Sequence, residues 1–386
     1  MKLLKISVLG LPLFHGTCEI DFLALQRVTA DNADKMSPIF CTKTQKYYQN
    51  NVLSFIGINA SGKTSILKLI TFICKMLGNE SINTAYGEIL DGLAEDGQVT
   101  FEIYFYTNNE TVNFLHTVIR KKNGRFIITE EYLKSKPSAK VTSKTDVFNF
   151  DESEIVLKRN NNEAFLLDDV SIMVAFNKTC MDRLIVTDML RYTNMNELSI
   201  SEDCPPELIA FFDPSIEYLH VQKVNKDTVI RLKFHENDEI TLNKITDLNR
   251  YLSSGTIKGI NIFVNAVKVF GTGGYLIIDE LENHFNREIV STLIRFYMDS
   301  KINPRGAMLV FSTHYSELLD EFERNDNIYI VRNNHGISAE NLSSILKRND
   351  MKKSEAYQSG YLKGTVPMYD AYMSLKKSLI HSHREA

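Results

Sequence analysis

The chain has 386 residues, room for two or three domains of ~150 residues each or for one large domain carrying an insertion. Lys plus Arg number 44 and Asp plus Glu 48; the net charge of −4 argues against whole-chain electrostatic binding to nucleic acid or an anionic membrane, but allows local basic patches. With 44% hydrophobic and 24% charged residues, a largely disordered or collagen-like chain is excluded.

Met1 to Leu13 carries Lys2 and Lys5 ahead of a short apolar run broken by Ser7 and Gly10, with no small-residue cleavage site after it. No uninterrupted apolar stretch reaches ~18 residues, so neither a signal peptide nor a membrane span is expected. Cys18, Cys41, Cys74, Cys180 and Cys204 are odd in number and never spaced as CxxC. They read as buried or incidental thiols in a reducing compartment, which predicts a cytoplasmic protein.

The opening segment reads as two short strands, Leu3 to Leu9 and Thr17 to Phe22, joined by a turn at Gly16. Asp31 to Asn51 is polar and aperiodic, and is expected to be a loop. Val52 to Ile56 is a compact apolar run, followed by a glycine-bearing loop and a helical pattern over Ser65 to Leu77. Alternation over Gln98 to Tyr106, Thr111 to Arg120 and Phe126 to Tyr132 predicts an antiparallel meander with turns at Asn108-Asn109 and Asn123-Gly124.

Between Arg120 and Lys144 stand eight basic residues against Glu130 and Glu131, a local +6. A hairpin edge protected by solvated lysines accounts for this more readily than a phosphate-backbone contact, the second reading. Beyond Asp151 the pattern turns helical, notably over Ser171 to Tyr192 and Glu207 to Phe212. A strand pair, Thr228 to His235 and Glu239 to Leu242, leads into a helix over Gly255 to Phe270. Then follow a strand at Tyr275 to Ile278, a helix over Arg287 to Asp299, a strand at Ala307 to Phe311, a helix over Tyr315 to Phe322 and a strand at Ile328 to Val331. Strands alternating with helices at this spacing predict an α/β fold, a mainly parallel sheet with helices on both faces.

Gly57-Ile58-Asn59-Ala60-Ser61-Gly62-Lys63-Thr64 satisfies the P-loop pattern between a buried strand and a helix. Its glycines allow a tight loop whose amides point at phosphate oxygens, and the helix N-terminus adds its dipole. Gly57, Asn59, Ala60, Ser61, Gly62, Lys63, Thr64 and Ser65 are therefore nucleotide-binding candidates. Lys63 would neutralise the β- and γ-phosphates, and the Thr64 hydroxyl would coordinate Mg²⁺. Tyr275-Leu276-Ile277-Ile278-Asp279-Glu280 is a buried strand ending in two carboxylates. Asp279 falls beside the nucleotide as a second Mg²⁺ candidate, and Glu280 is placed to polarise the attacking water as general base. Leu252-Ser253-Ser254-Gly255-Thr256 opens a helix ahead of this strand, and Ser312-Thr313-His314 places an imidazole at the end of the next one.

These four elements, in this order and with a long insertion, resemble an ABC-type ATPase head: P-loop, a signature like LSGGQ, Walker B strand and switch histidine. The run Asp279-Glu280-Leu281-Glu282-Asn283-His284 resembles the SMC/RecF/OLD-like group. The segment Leu252 to Thr256 and the tail Ser359-Gly360-Tyr361-Leu362-Lys363-Gly364-Thr365-Val366-Pro367 look like the RloA- and AbiL-type ATPases of bacterial abortive-infection operons. Ser254 stands where the signature usually has glycine and Thr256 where it often has glutamine, while Ser253 and Gly255 remain. Gln98, the one glutamine considered for a Q-loop, has no supporting motif around it.

The resemblance implies an ABC-head P-loop fold split as 1–135 (P-loop and meander), 136–235 (helical insertion), 236–345 (signature, Walker B, switch histidine) and a tail, 346–386. It implies ATP and Mg²⁺ as ligands, Glu280 and His314 as catalytic residues, and Ser253 and Gly255 as γ-phosphate contacts supplied by a second chain. It also implies a homodimer or higher oligomer sandwiching ATP, with Glu282 and Asn283 near the interface, and control of a separate effector, a nuclease or toxin, in anti-phage defence. The competing readings are a RecF-like ATP-gated DNA-binding repair protein, with Arg120 to Lys144 as its contact, and a nucleotide-dependent scaffold with negligible turnover. About fifty residues follow Val331, too few for the nuclease domain of OLD-like relatives. His381 and His383 could ligate metal, although a flexible tail is the expectation there.

Overall fold

The structure, a computed structural model, describes residues 1–382 except 43–44, 85, 161–165, 193–197, 199–203, 225–226, 284, 348–350 and 366–368; residues 223–224, 227, 369, 371 and 381–382 are described by backbone alone. His284, the Val366-Pro367 pair and His383 thus lie outside the described residues, as does the His381 side chain.

The first strands, β1 (Lys2–Leu9) and β2 (Thr17–Asp21), form the expected hairpin. A short 3₁₀ turn over Ala30–Lys35 leads into a second hairpin, β3 (Ser37–Cys41) and β4 (Lys46–Gln49), where a loop is expected. Its pairing is held by Phe40 stacked on Tyr47 at 4.5 Å, and the bulge after Pro38 hides the alternation from a sequence reading. The central strand β5 (Val52–Ile56) and helix α1 (Lys63–Leu77) follow, then the long meander β6 (Gln98–Thr107), β7 (Thr111–Lys122) and β8 (Arg125–Pro137).

The segment expected to be a helical insertion is mostly strand and turn. It holds β9 (Ile155–Lys158), α2 (Met173–Cys180), β10 (Val186–Asp188), α3 (Pro206–Phe212), β11 (Ile216–Val224) and β12 (Asp227–Phe234). The helix expected over Ser171 to Tyr192 stops at Met181, whose φ of +50° turns the chain. Val186 to Asp188 instead pairs with the Walker B strand, a tertiary partner that overrides local helical pattern. Beyond these come β13 (Ile240–Leu242), α4 (Ser254–Thr272), β14 (Tyr275–Ile278), α5 (Arg287–Tyr297), β15 (Met308–Thr313), β16 (Ile328–Asn333), β17 (Ile337–Asn341), α6 (Leu342–Ile345), α7 (Lys353–Gln358) and α8 (Tyr369–Ser382). Tyr315 to Phe322, expected to be helical, carries only a 3₁₀ turn over Ser316–Glu321.

Two six-stranded sheets organise the molecule. One has the order β10-β14-β15-β5-β16-β17 and is parallel except for β17; the other, β2-β1-β6-β7-β8-β9, is antiparallel throughout. Helix α1 lies between them, and eleven of its 15 residues are buried, so it is apolar almost all round rather than along one stripe. Val99, Phe101, Ile103 and Phe105 of β6 alternate inward onto α1, with Phe101 packed on Phe72. Leu53, Phe55, Ile277 and Val310 meet this same core from the parallel sheet. The opposite face of that sheet, including Val52, Ile56, Leu276, Ile278 and Phe311, is covered by α4 and α5. A small third sheet, β11-β12-β13, packs beside the N-terminal half of α4 through Leu219, Ile230, Leu232, Ile257 and Ile260.

This layering delivers the carboxyl ends of β5, β14 and β15 side by side in the middle of the parallel sheet. In such sheets the crevice beyond the strand ends is the expected ligand position.

Candidate functional site

The loop between β5 and α1 can be built only with its glycines. A Cβ on Gly57 would come within 2.4 Å of both the Ser61 hydroxyl and the Val331 carbonyl, and Gly62 holds φ at +98° against Ile337. Ala60 is also left-handed, at +60°. The result is a closed loop that ends on the first turn of α1.

Lys63 leaves that turn and folds back over the loop, donating to the carbonyls of Gly57 at 2.9 Å and Ile58 at 3.2 Å. Burial pushes its ammonium below the usual lysine range, while the carboxylates of Asp279, Glu282 and Glu280 pull in the opposite direction. The next residue, Thr64, donates its hydroxyl to Asp279 Oδ2 at 2.7 Å, joining positions 215 residues apart. The other Asp279 oxygen accepts from Ser312 at the end of β15, and the Ser312 hydroxyl in turn accepts the Glu280 amide at 2.8 Å.

Glu280 sits at φ +47°, a left-handed backbone on a non-glycine residue immediately after a strand. Its carboxylate reaches outward: Oε1 lies 3.6 Å from His314 Nε2, and Oε2 accepts from Asn283 at 3.2 Å. Both Glu280 and His314 keep a third or so of their side chains accessible, 40% and 31%, so water reaches them. Lys63 Nζ lies 3.4 Å from His314 Nδ1, so the imidazole bridges the loop lysine and Glu280.

Glu282 is turned inward rather than outward. One of its oxygens accepts the His314 amide at 2.5 Å, and the other is buried without a hydrogen-bond partner among the described residues. Lys258 of α4 is buried beside it, over the Phe285 ring at 5.8 Å, and burial lowers its ammonium to about 8 despite the nearby carboxylates of Glu282, Glu280 and Asp279. Sequence reasoning missed Lys258, and it gave Ser312 and Asn283 no contact with the acidic pair. Asn283 reaches Glu280 from three positions along the chain, whereas only the packing of α4 and β15 against β14 brings Lys258 and Ser312 to the carboxylates.

One cavity of about 820 Å³ runs along this arrangement, lined by Asn59 to Ser65, Glu280 and His314, and continuing to Pro12, Leu13 and the turn Asn333 to Ile337. The structure thus brings together Gly57 to Ser65, Asp279, Glu280 and His314. Ser253 and Gly255 do not line it. Ser253 caps α4, its hydroxyl accepting the Thr256 amide at 3.0 Å. Gln98 starts β6 in the antiparallel sheet and accepts from Arg120, so its side chain is used far from any Q-loop role.

Part of the basic stretch is held inside the fold. Lys134 pairs with Glu152 at 2.7 Å, Lys136 donates to the carbonyls of Asp146 and Asn149, and Lys144 to those of Ala24 and Leu25. Arg125 lies 3.6 Å from Asp169 with 64% of its side chain exposed. Arg120, Lys122 and Lys140 are exposed as well.

Across residues 52–320 the sequence matches a family model described as AAA domain, putative AbiEii toxin, Type IV TA system. The chain belongs to this family. No curated protein matches it. The matched segment of this AAA domain begins at the first residue of β5 and closes after His314, so it contains the loop, Asp279, Glu280 and His314. Family membership implies a P-loop α/β fold of the kind that binds ATP, and the geometry is consistent with it.

The donor set of the AAA domain also fits Mg²⁺. Thr64 and Asp279 present hydroxyl and carboxylate oxygens, the hard ligands that cation takes. No helix among the described residues is long and apolar enough to cross a membrane.

Proposed function

We propose that this protein is an ABC-type ATPase that hydrolyses ATP, dimerises around it, and thereby controls a separate effector in bacterial anti-phage defence, on the pattern of the RloA and AbiL ATPases. The observation that carries the reading is the Thr64–Asp279 hydrogen bond set beside the water-accessible Glu280–His314 pair, at the ends of adjacent parallel strands. It supplies a phosphate cradle, an oxygen pair for a cation and a carboxylate open to water in one place.

In this reading the loop amides and Lys63 hold the β- and γ-phosphates. Thr64 and Asp279 hold Mg²⁺, which when bound neutralises developing charge on the phosphate oxygens. Glu280 takes a proton as water attacks the γ-phosphorus, and the bond from that phosphorus to the ADP oxygen breaks. Asn283 and His314 orient the Glu280 carboxylate from its two sides. Ser253 and Gly255 of a second copy, at the N-terminus of its α4, cover the γ-phosphate, so that ATP joins the two copies and hydrolysis releases them. The toxin and antitoxin wording of the family description supports a partner in defence, with this chain as the nucleotide-driven component. Such a protein works in the cytoplasm.

Glu280→Gln tests the reading. Turnover should fall by about 10²–10⁴ while ATP binding persists and the mass in solution with ATP shifts to a stable dimer. Parent-rate hydrolysis by this variant would remove Glu280 as the base, and a monomer with bound ATP would remove the dimer.

A further inference from the structure

We propose that a second cavity, at the far end of β5 from the P-loop, binds an organic phosphate, with Arg27 and Lys46 holding the phosphate group. This site does not depend on the nucleotide-binding reading of the P-loop. Residues 23–28 and 45–48, which form most of its lining, precede the family-matched segment 52–320 and belong to no motif read from the sequence.

Size and charge give the first reason. The cavity holds about 640 Å³ between the irregular segment that follows β2 and the strand β4, within the range of about 300–1,000 Å³ that small-molecule sites occupy. Tyr47 and Tyr48 line it just ahead of β5, whereas Asn59 to Ser65 line the P-loop cavity just after β5. The strand between them spans about 17 Å of extended chain, so the two cavities are distinct. Arg27, Lys46 and Lys144 all line the second cavity, and among the described residues no carboxylate does. Arg27 and Lys46 are exposed, and neither side chain makes an ion pair or a hydrogen bond among the described residues. A guanidinium fork and an ammonium with their donors unspent match a phosphate group, which accepts from both. Leu23, Val28 and Tyr48 add apolar and aromatic surface to the same lining, which a bare phosphate ion would leave to water and an organic group would cover.

The second reason is construction. Residues 24–27 belong to no helix or strand, yet every one of their carbonyls accepts from a lysine or an arginine. Lys144 donates to Ala24 and to Leu25, and Arg324 donates to Gln26 at 2.9 Å and to Arg27 at 3.0 Å. The Leu25 and Gln26 amides donate to Asp326 Oδ2 at 2.8 and 2.9 Å, and the Ala24 amide to the Tyr48 carbonyl at 2.9 Å. Arg324 and Asp326 are paired with each other and are 6% and 0% exposed. A buried ion pair is costly to desolvate unless its remaining donors and acceptors are satisfied, and this one satisfies them on a segment of irregular backbone. Surface segments without regular structure are ordinarily mobile, whereas this one is fixed from two sides as a cavity wall. The site is thereby preorganised, and little ordering is left for a ligand to impose.

Calorimetric titration of the full chain with phenyl phosphate and with inorganic phosphate tests the site. Phenyl phosphate should bind at least about tenfold more tightly than inorganic phosphate, the gain from covering the apolar part of the lining. Arg27→Gln and Lys46→Gln, at exposed positions without partners, should each weaken phenyl phosphate binding by about tenfold or more with no change in melting temperature. Lys63→Ala, which removes the phosphate lysine of the P-loop, should leave that binding in place. If Lys63→Ala abolishes it while Arg27→Gln and Lys46→Gln keep the parent's affinity, the anion sits on the P-loop and the second site is overturned. Equal affinity for the two anions would overturn the organic ligand, and a parent chain that binds neither would overturn the site, in each case without touching the P-loop reading.

Discussion

In the parallel sheet, β5, β14 and β15 contain no ionisable residue but Tyr275, and the other ionisable side chains appear past their ends as Lys63, Asp279, Glu280 and His314. In the antiparallel sheet, β7 and β8 carry Arg120, Lys121, Lys122, Arg125, Glu130, Glu131, Lys134 and Lys136 within the strands themselves. The difference follows from burial. A parallel sheet covered on both faces has no place for a charge except where its strands stop, so ionisable groups are driven together at one edge. The antiparallel sheet buries one face on α1 and leaves the other half-covered by the segment after β8, and Glu131, Lys134 and Lys136 find their partners in that later segment. One sheet concentrates charge where a ligand can meet it; the other spends charge on holding loops.

The largest expected effect lies in the second region. Glu131 is buried against Arg159 and accepts from Ser171 and the Ile172 amide, anchoring the start of α2 to the sheet. Glu131→Ala strands the guanidinium and should cost about 3–5 kcal/mol in denaturant unfolding. ATP affinity of the folded fraction should be unchanged, and a selective loss of ATP binding would mean the two sheets are not separate in role.

Lys63→Ala gives the converse. ATP affinity should fall by about 100-fold as its charge-assisted contacts to phosphate disappear, while the melting temperature holds or rises, because a partly desolvated cation has been removed. A large loss of stability instead would make Lys63 a structural residue. Lys136→Ala should cost about 1–3 kcal/mol through its orphaned carbonyls and lost packing on Phe150 at 4.4 Å, with no change in duplex DNA binding across a salt titration. Unchanged stability with weakened, salt-sensitive DNA binding would reverse that assignment and revive the DNA-gated reading.

The smallest effect concerns Asp21, at the end of β2, where burial raises the carboxyl from its usual 3.8 to about 6. Below pH 4 the carboxyl is protonated in both states and carries no ionisation cost. Between about 4 and 6 the unfolded chain ionises first, so stability falls as pH rises, and above 6 the full penalty stays. Asp21→Asn should stabilise the fold by about 1–2 kcal/mol at pH 7.5, allowing for the group's partial exposure, with the gain vanishing near pH 4. A gain equal at both pH values would show that the penalty is not one of ionisation.

Much of this was legible in the chain. Val52 to Ile56 with the loop after it, the meander with both its turns, and Tyr275 to Ile278 with its two carboxylates are local patterns, each fixed by residues within a dozen positions of one another. Glycine spacing, strand alternation and an apolar run ended by charge are properties of short segments, so the P-loop, Asp279, Glu280 and His314 could be named from sequence.

Other features exist only through long-range pairing. β10 is a strand because β14 offers it an edge, and the β3–β4 hairpin is set by Phe40 against Tyr47 across a bulge. The inward turn of Glu282, the arrival of Lys258 and Ser312 at the acidic pair, and the meeting of Leu13 with Ile337 join residues from 22 to more than 300 positions apart. Above all, sequence determined that residues 120 to 144 are basic, and tertiary structure decided that Lys134, Lys136 and Lys144 are already spent on carboxylate and carbonyl oxygens. Net charge is a sum over residues, whereas availability depends on which carbonyl or carboxylate the fold places beside each one.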